Sequence, residues 1–459
     1  VPTIAQRKVL VLLGAGSAVF TRGLLADLIS APQLGPWELR LVDVDEHALE
    51  VAVGLAEKLI EVSGRGDTIT VNGSTDRRTV FPGADFVVTS VGIGGRPAWE
   101  ADWDVAARYG IKQSVGDSVL PGGISRAMRT IPVMVEIGRD VVRLAPHAFF
   151  FNYANPMTSI CTAITSRAGA SVVGLCHGVF HVQRELATLI RKPLEETSTL
   201  YCGLNHLTFI YDFRWRGEDA WPLVRERVAE DRAAPPDPDD LGNIWQDGAK
   251  ATYNPFSWEL FDRLGAYPAV DDRHVTEFFP ERFASGAYYG KTLGVDAFSL
   301  KEILAWGEER YQRMAREATG EQELSADLLN RSTGDQEQLL LILDSILRDG
   351  RVTVSANVPN TGLVPNLPAD AVLELPSIVT GRGLRAMQVP DLPPILAAIL
   401  RKRLAPIEVT IEAAMTGDRD LFAEAILLDG AVGDFATART MVNDFIAAQR
   451  PYLPLFTAA

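Results

Sequence analysis

Three observations predict an α/β protein built on a doubly wound parallel sheet and completed by a mixed α+β second half. Short β-rich runs at 8–13, 38–42, 85–91, 147–153 and 171–175 are each followed by a helix-compatible stretch, the alternation of a parallel sheet with helices on both faces. The first of these runs empties into Gly14-Ala15-Gly16, a turn suited to joining a strand to a helix. Past residue 195 the pattern changes: 199–202 and 207–215 look like antiparallel strands, and helical periodicities follow at 300–319, 336–348 and 392–415.

A chain of 459 residues exceeds one ordinary core, so two intimately joined domains are expected, at 1–195 and 196–459. The segment 233–240, Ala-Ala-Pro-Pro-Asp-Pro-Asp-Asp, cannot continue a helix and is expected to be a surface loop.

Composition narrows the function. With 47% hydrophobic and 22% charged residues the chain can bury a sizeable interior. A net charge of -15 and a pI near 5.0 give no general attraction for a phosphate backbone or an anionic membrane, so neither nucleic acid nor membrane is expected as a partner. The apolar run Val9 to Leu13 stops at Gly14, far short of the roughly 18 residues a membrane span needs, and reads as a buried strand and not a signal peptide. Three cysteines, Cys161, Cys176 and Cys202, are too few for a disulfide framework. They point to a reducing, cytoplasmic setting in which a special cysteine is a ligand or a nucleophile.

In the first turn, Gly14 allows the sharp bend, Gly16 lets the backbone approach a pyrophosphate, and Ser17 opens the following helix. The third glycine of the usual fingerprint is replaced in the Val19-Phe20 region, so this motif is weak by itself. The run Leu39-Arg-Leu-Val-Asp43 adds a second strand ending in a carboxylate placed to grip a ribose 2'-hydroxyl and to repel a 2'-phosphate, which favours NAD over NADP. The alternative for Asp43 is plain helix capping. A third strand ends at Thr89-Ser-Val-Gly92, lining the same crevice.

Four further motifs carry a family resemblance: Gly116-Asp117-Ser-Val-Leu-Pro-Gly-Gly-Ile-Ser-Arg126-Ala-Met-Arg129, Phe151-Asn152-Tyr-Ala-Asn155-Pro156, Gly174-Leu-Cys176-His177-Gly178-Val179 and Gly203-Leu-Asn205-His206. In this order the chain resembles glycoside hydrolase family 4, and the likeness continues to Asn357-Val-Pro-Asn360-Thr-Gly362 and Asn366-Leu-Pro368. The resemblance implies a lactate/malate dehydrogenase-like, Rossmann-type architecture, NAD and a divalent metal, typically Mn(II), and a homodimer or homotetramer. From the residues alone, a thiolate at Cys176 and an imidazole at His206 suit one shared cation, while each singly reads as an ordinary buried side chain. The resemblance places both on the metal-ligand positions.

It also implies the chemistry. Hydride passes from C3 of the sugar to NAD, the resulting ketone acidifies C2, a base removes that proton, the aglycone leaves C1, water adds and the hydride returns. The usual two-carboxylate spacing argument therefore does not apply. For the base, the segment Tyr267-Pro-Ala-Val-Asp271-Asp272-Arg273-His274 offers Asp272 first, then Asp271 and Tyr267, with Arg273 and His274 available to metal or substrate. His177 stands where an acid protonates the leaving group in related enzymes. Asn155 matches a position touching substrate hydroxyls, Asn152 has turn formation as its alternative, and Asp117 matches an acid approaching the sugar or else shapes its own turn.

Histidine after the cysteine resembles the branch acting on unphosphorylated α-linked sugars, and the following Gly178 resembles α-galacturonidases. A uronic acid needs a cation, for which Arg96, Arg129, Arg273 and Lys291 are available. The expected activity is an α-hexuronidase; the alternatives are an α-glucosidase or α-galactosidase of the same family, or a lactate/malate-type dehydrogenase that accumulates NADH.

Overall fold

The computed structural model describes residues 6–232, 253–329 and 338–457. The expected loop at 233–240 and the first two residues of the expected helix at 336–348 lie outside them.

Six parallel strands form the first half, in the order Ile69–Ser74, Trp37–Val42, Lys8–Leu13, Phe86–Thr89, Phe149–Asn152, Val172–Gly174. The order reverses between Lys8–Leu13 and Phe86–Thr89, and the carboxyl ends of those two strands open the crevice where ligands of such sheets collect. Alternate residues of each strand enter different cores. Val11, Leu13, Val87 and Phe150 face one side and Leu10, Leu12, Val88 and Phe151 the other. Burial on both faces explains why these strands read as unbroken apolar runs. The strand Ile69–Ser74 leaves no apolar run in the sequence: it is an edge in which four of six residues are polar or glycine and only Ile69 is buried.

The sheet does not stop near residue 195. Asn357 pairs with Gly174, and from there the antiparallel strands Val352–Pro359, Val372–Thr380, Thr197–Leu204, Leu207–Trp215 and Tyr267–Ala269 extend the same sheet. The strands 352–359 and 372–380 were not foreseen, while the helices Leu300–Thr319, Gln338–Arg348 and Pro394–Thr416 stand close to where periodicity put them. Among the described residues no helix is long and apolar enough to cross a membrane.

Candidate active site

At the first turn, Gly14 has φ +79° and a Cβ there would lie 2.9 Å from the Ser90 carbonyl group, so a side chain is excluded twice over. The backbone donors of this turn are turned inward: Ala15 N–H meets Val42 O, Ser17 N–H meets Gly14 O, and Gly16 N–H donates to Asp43 Oδ2 at 2.8 Å. Gly16 is thus needed for packing, since a Cβ would stand 2.7 Å from the Ala48 Cβ and 3.0 Å from Asp43 Oδ2, which differs from the expected approach to a pyrophosphate. The helix does not open at Ser17 either; it runs Thr21–Ser30, and Ser17 accepts weakly from Phe20 N–H at 3.4 Å. Asp43 also accepts from Asp45 N–H, but stays partly exposed, with lone pairs to spare. Tyr311 of helix Leu300–Thr319 lies near it, its hydroxyl proton held by burial and by the charges of Asp45 and Asp43. Gly92 is exposed within the loop after Phe86–Thr89, with open space above it as far as an Arg126 nitrogen 3.9 Å from where its Cβ would be.

Arg96 is occupied by helix Leu300–Thr319. It pairs with Glu308, donates to Gly307 O and lies over the Tyr311 ring at 5.9 Å. Asn152 is likewise committed: fully buried, it accepts from Thr89 Oγ1 at 2.9 Å and Ala154 N–H at 3.0 Å and donates to Ala154 O. With every polar atom spent on shaping its own turn, it does not reach a substrate.

Beyond that turn the chemistry converges. Thr197–Leu204 and Leu207–Trp215 are joined by only Asn205 and His206, and the register Leu204↔Leu207 forces His206 to φ +104°, a backbone conformation that a β-substituted residue adopts at a cost of order 1–3 kcal/mol. The strain aims the imidazole into the site. Ligand atoms of Asp117, His206 and His274 all lie within 4.8 Å of one another, and the rings of His206 and His274 are 4.0 Å apart between centroids. The sequence offers His274, with Arg273, to metal or substrate, and the structure brings it to His206; the spacing of the two histidines in the chain gives no hint of that contact. Cys176 follows the strand Val172–Gly174 at the same sheet edge, but it is not one of the three converging groups.

The hydrogen bonds fix a tautomer. Ser118 Oγ donates to Asp117 Oδ1 at 2.7 Å and also lies 3.0 Å from His206 Nδ1. A hydroxyl has one proton, so the His206 bond must be donated by Nδ1–H, which leaves the Nε2 lone pair free. A metal-binding histidine is arranged in this way, with its second nitrogen donating to an oxygen that is itself anchored. The donor set therefore fits a divalent cation. Burial lowers the proton affinity of His206 against the pull of Asp117, and burial together with the neighbouring His206 and Arg273 lowers that of His274 still further. Both stay neutral near pH 7. Burial opposes ionisation of Asp117, yet His206, Arg126, Ser118 and Arg273 outweigh it and hold the carboxyl below its usual range.

Asn155 donates to Asp117 Oδ2 at 3.0 Å, and its Oδ1 is buried with no partner among the described residues, an acceptor waiting for a donor. Its carbonyl oxygen accepts from Arg126 Nε at 3.0 Å. His177 caps helix Gly178–Leu189 and keeps solvent-exposed surface while protein surrounds it. That crowding, with His181 and His206, lowers its proton affinity, and the solvent reaching it moderates the effect.

The two adjacent aspartates part company. Asp272 is fully buried and accepts four hydrogen bonds: Phe256 N–H at 2.7 Å, Ser257 N–H at 2.8 Å, Ser257 Oγ at 2.6 Å and Tyr288 OH at 2.7 Å. It anchors the start of helix Pro255–Leu264 and has no free lone pair for a substrate proton, which corrects its place as first choice of base. Asp271 has its Oδ1 buried without a partner, and burial raises its carboxyl above the usual range, opposed by Arg273 and His181. Tyr267 is buried under Trp258 in the core of the second half.

Of the basic residues, Arg129 is spent on a buried bidentate pair with Asp102, at 2.9 and 2.5 Å. Arg273 forms no ion pair among the described residues, and its buried Nε lacks a hydrogen-bond partner.

Comparison with known proteins places this geometry in context. A model described as "Family 4 glycosyl hydrolase" matches residues 9–192, and one described as "Family 4 glycosyl hydrolase C-terminal domain" matches residues 201–432. The chain is 30% identical to an alpha-glucosidase of Erwinia rhapontici, over 97% of this chain and 98% of that one. It is 31% identical to an alpha-galactosidase of Rhizobium meliloti (strain 1021), over 98% and 89%. An alpha-galacturonidase of Lachnoclostridium phytofermentans is 28% identical over 96% of both chains. Among solved structures, a putative glucosidase lplD from Bacillus subtilis superposes with a TM-score of 0.82 at 26% identity, covering 96% of this chain and 100% of that one. A 6-phospho-alpha-glucosidase from gut microorganisms in complex with NAD and Mn2+ shares the fold, with a TM-score of 0.79 at 19% identity over 97% and 99%.

Proposed function

The chain belongs to the family 4 glycosyl hydrolases, and we propose that it cleaves α-linked, unphosphorylated sugars, preferentially α-hexuronides of the galacturonide type, with NAD and a divalent cation such as Mn(II). The observation that carries the proposal is the Asp117–Ser118–His206 relay, which leaves His206 Nε2 free beside His274 at the carboxyl edge of a doubly wound sheet. His206 holds the cation, with Cys176, His274 and Asp117 as the candidates for completing its protein ligands. When bound, the nicotinamide supplies reversible hydride transfer and the cation supplies polarisation of a sugar oxygen.

The chain's own residues do the rest. Asn155 offers its unpaired Oδ1 to a sugar hydroxyl while its amide nitrogen steadies Asp117. Asp271, which has an unpaired oxygen and a carboxyl group that burial makes more basic, takes the C2 proton. His177, reachable by solvent, gives a proton to the leaving oxygen from the small fraction that is protonated, since its proton affinity is lowered. Arg273, without a carboxylate partner of its own, receives the carboxylate of a uronide, a role that Arg129 and Arg96 cannot fill while paired. The relatives named alpha-galacturonidase and the Cys176-His177-Gly178 sequence support this substrate class.

The test is a panel of p-nitrophenyl α-glycosides assayed with NAD, Mn(II) and a reductant. Release from α-galacturonide or α-glucuronide without net NADH is the expected result. Turnover of neutral hexosides alone would overturn the uronide assignment, and NADH accumulation without cleavage would mark a simple dehydrogenase.

A further inference from the structure

We propose that Glu277 is a positioning residue for the cation cluster: its carboxyl group grips the backbone of the loop carrying Asp117 and Ser118 and holds both against His206 and His274. The inference rests on the reading of that cluster as a cation site.

Residues 112–118 form no helix or strand, and among the described residues none of them takes part in a backbone-to-backbone hydrogen bond. The loop's shape is therefore set by side chains. From one side, Trp99 Nε1 donates to Val115 O at 2.6 Å and Trp103 Nε1 to Gln113 O at 2.7 Å. Both satisfy carbonyl oxygens and come from the helix Gly95–Arg108, in the same half of the chain. From the other half comes Glu277, whose Oε1 accepts Val115 N–H and Gly116 N–H, each at 2.8 Å. Beside it, Ser114 Oγ donates to Arg273 O at 2.5 Å and lies 3.1 Å from Thr276 Oγ1.

These ties span some 160 residues of sequence and join the segment bearing Asp117 directly to the one bearing Arg273 and His274. Glu277 is 3% exposed, so the two N–H groups it accepts have no water to turn to if it is removed. Gly116, at φ +68°, bends the chain immediately after the grip and delivers Asp117 to its bonds with Ser118 and Asn155. Without Glu277, the separation of 3.9 Å between Asp117 and His206 would depend on a loop whose two N–H groups at 115 and 116 had lost their acceptor. Neither Glu277 oxygen is required to touch substrate or cation, so the residue acts through Asp117 and Ser118.

The test compares Glu277→Gln with Glu277→Leu in the full chain. Gln keeps a carbonyl oxygen able to accept both N–H groups; Leu keeps the volume and loses the acceptor. Mn(II) affinity is read by electron paramagnetic resonance and NAD affinity by fluorescence, alongside kcat and KM. Expected are Mn(II) binding weakened about 10- to 100-fold in Glu277→Leu and within about threefold of the parent in Glu277→Gln, with NAD affinity unchanged in both. Parental Mn(II) affinity in Glu277→Leu, or equal loss in the two variants, overturns the proposal. If Glu277→Leu fails to fold, Glu277→Asp replaces it, keeping a carboxyl group but drawing it back by one methylene from the two N–H groups, and parental Mn(II) affinity there overturns the proposal. If the parent protein itself binds no Mn(II), the cation reading falls separately, and a crystal structure of Glu277→Leu decides: a displaced 112–118 loop supports positioning, an unmoved one refutes it.

Discussion

Gly178 and Val270 touch so closely that a Cβ on the glycine would stand 2.4 Å from Val270 Cγ1 and 3.6 Å from the Cys176 sulfur. The residue that reads from sequence as a mark of substrate class thus has a packing cause. It lets the turn after Cys176 seat against the residue preceding Asp271. Gly178→Ser is expected to displace Val270 and Asp271 and to cut kcat at least about tenfold without unfolding the protein, because one overpacked contact costs about 1–3 kcal/mol. Val270→Ala in the same chain should restore part of the loss. Parental kcat in Gly178→Ser would show that the contact does not constrain Asp271.

Asp271 and Asp272 should separate cleanly by mutation. Asp271→Asn is expected to lower kcat by about 10²- to 10⁴-fold with an unchanged melting temperature. Asp272→Asn is expected to lower the melting temperature, since an amide cannot accept all four hydrogen bonds now made to the carboxylate. The acid limb of kcat belongs to the ionisation of Asp271. Because burial raises its carboxyl, activity should fall on acidification at a pH above the ordinary aspartate range, and should be full only above it. An acid limb below that range would remove Asp271 from the role of base.

The Ser118 hydroxyl gives a third test. Ser118→Ala leaves His206 Nδ1–H without its acceptor and frees the ring to exchange tautomers, so Mn(II) should bind about 10- to 100-fold more weakly. His206→Ala should abolish the binding, and chelation followed by Mn(II) should remove and return activity in the parent. Equal Mn(II) affinity in Ser118→Ala and the parent, measured by paramagnetic resonance, would refute the tautomer argument.

What the sequence disclosed follows from which physical signal each feature leaves in it. Strands buried on both faces leave unbroken apolar runs, so Lys8–Leu13 was read to the residue, whereas the uncovered edge Ile69–Ser74 left none. Motifs located Asp117, Asn155, Cys176, His177 and His206 because each sits at a strand end or in a tight turn that punctuates the pattern. Direction of hydrogen bonding leaves no such trace. Asp271 and Asp272 are neighbours of one type, and only contacts with Phe256, Ser257 and Tyr288 assign the second to structure. The same holds for Gly16 against Ala48, for Asn152 inside its turn, and for Glu277, whose partners lie 161 and 162 residues away.

Stability should carry its own pH signature, and Glu374 gives a contribution to it that one substitution isolates. This residue is 1% exposed and pairs through Gly203 with the strand leading to His206; it accepts from Thr208 Oγ1 at 2.5 Å and Ser355 Oγ at 3.1 Å. Burial pushes its carboxyl up to about 7 against these hydrogen bonds. The folded protein therefore keeps a proton on Glu374 that the unfolded chain, with an ordinary glutamate near 4.5, has already released. Between those two values the folded state binds more protons than the unfolded state, so this group's contribution to stability is complete below about pH 4.5 and declines until pH passes about 7. The decline amounts to about 3 kcal/mol at most. Glu374→Gln removes the titration while keeping the shape, and Thr208 can turn its hydroxyl proton wholly to Leu204 O and accept from the new amide. Thermal melts at pH 5 and pH 8 should show the variant gaining on the parent as pH rises. A difference between the two proteins that is the same at both pH values would mean that Glu374 is ionised in the folded state throughout.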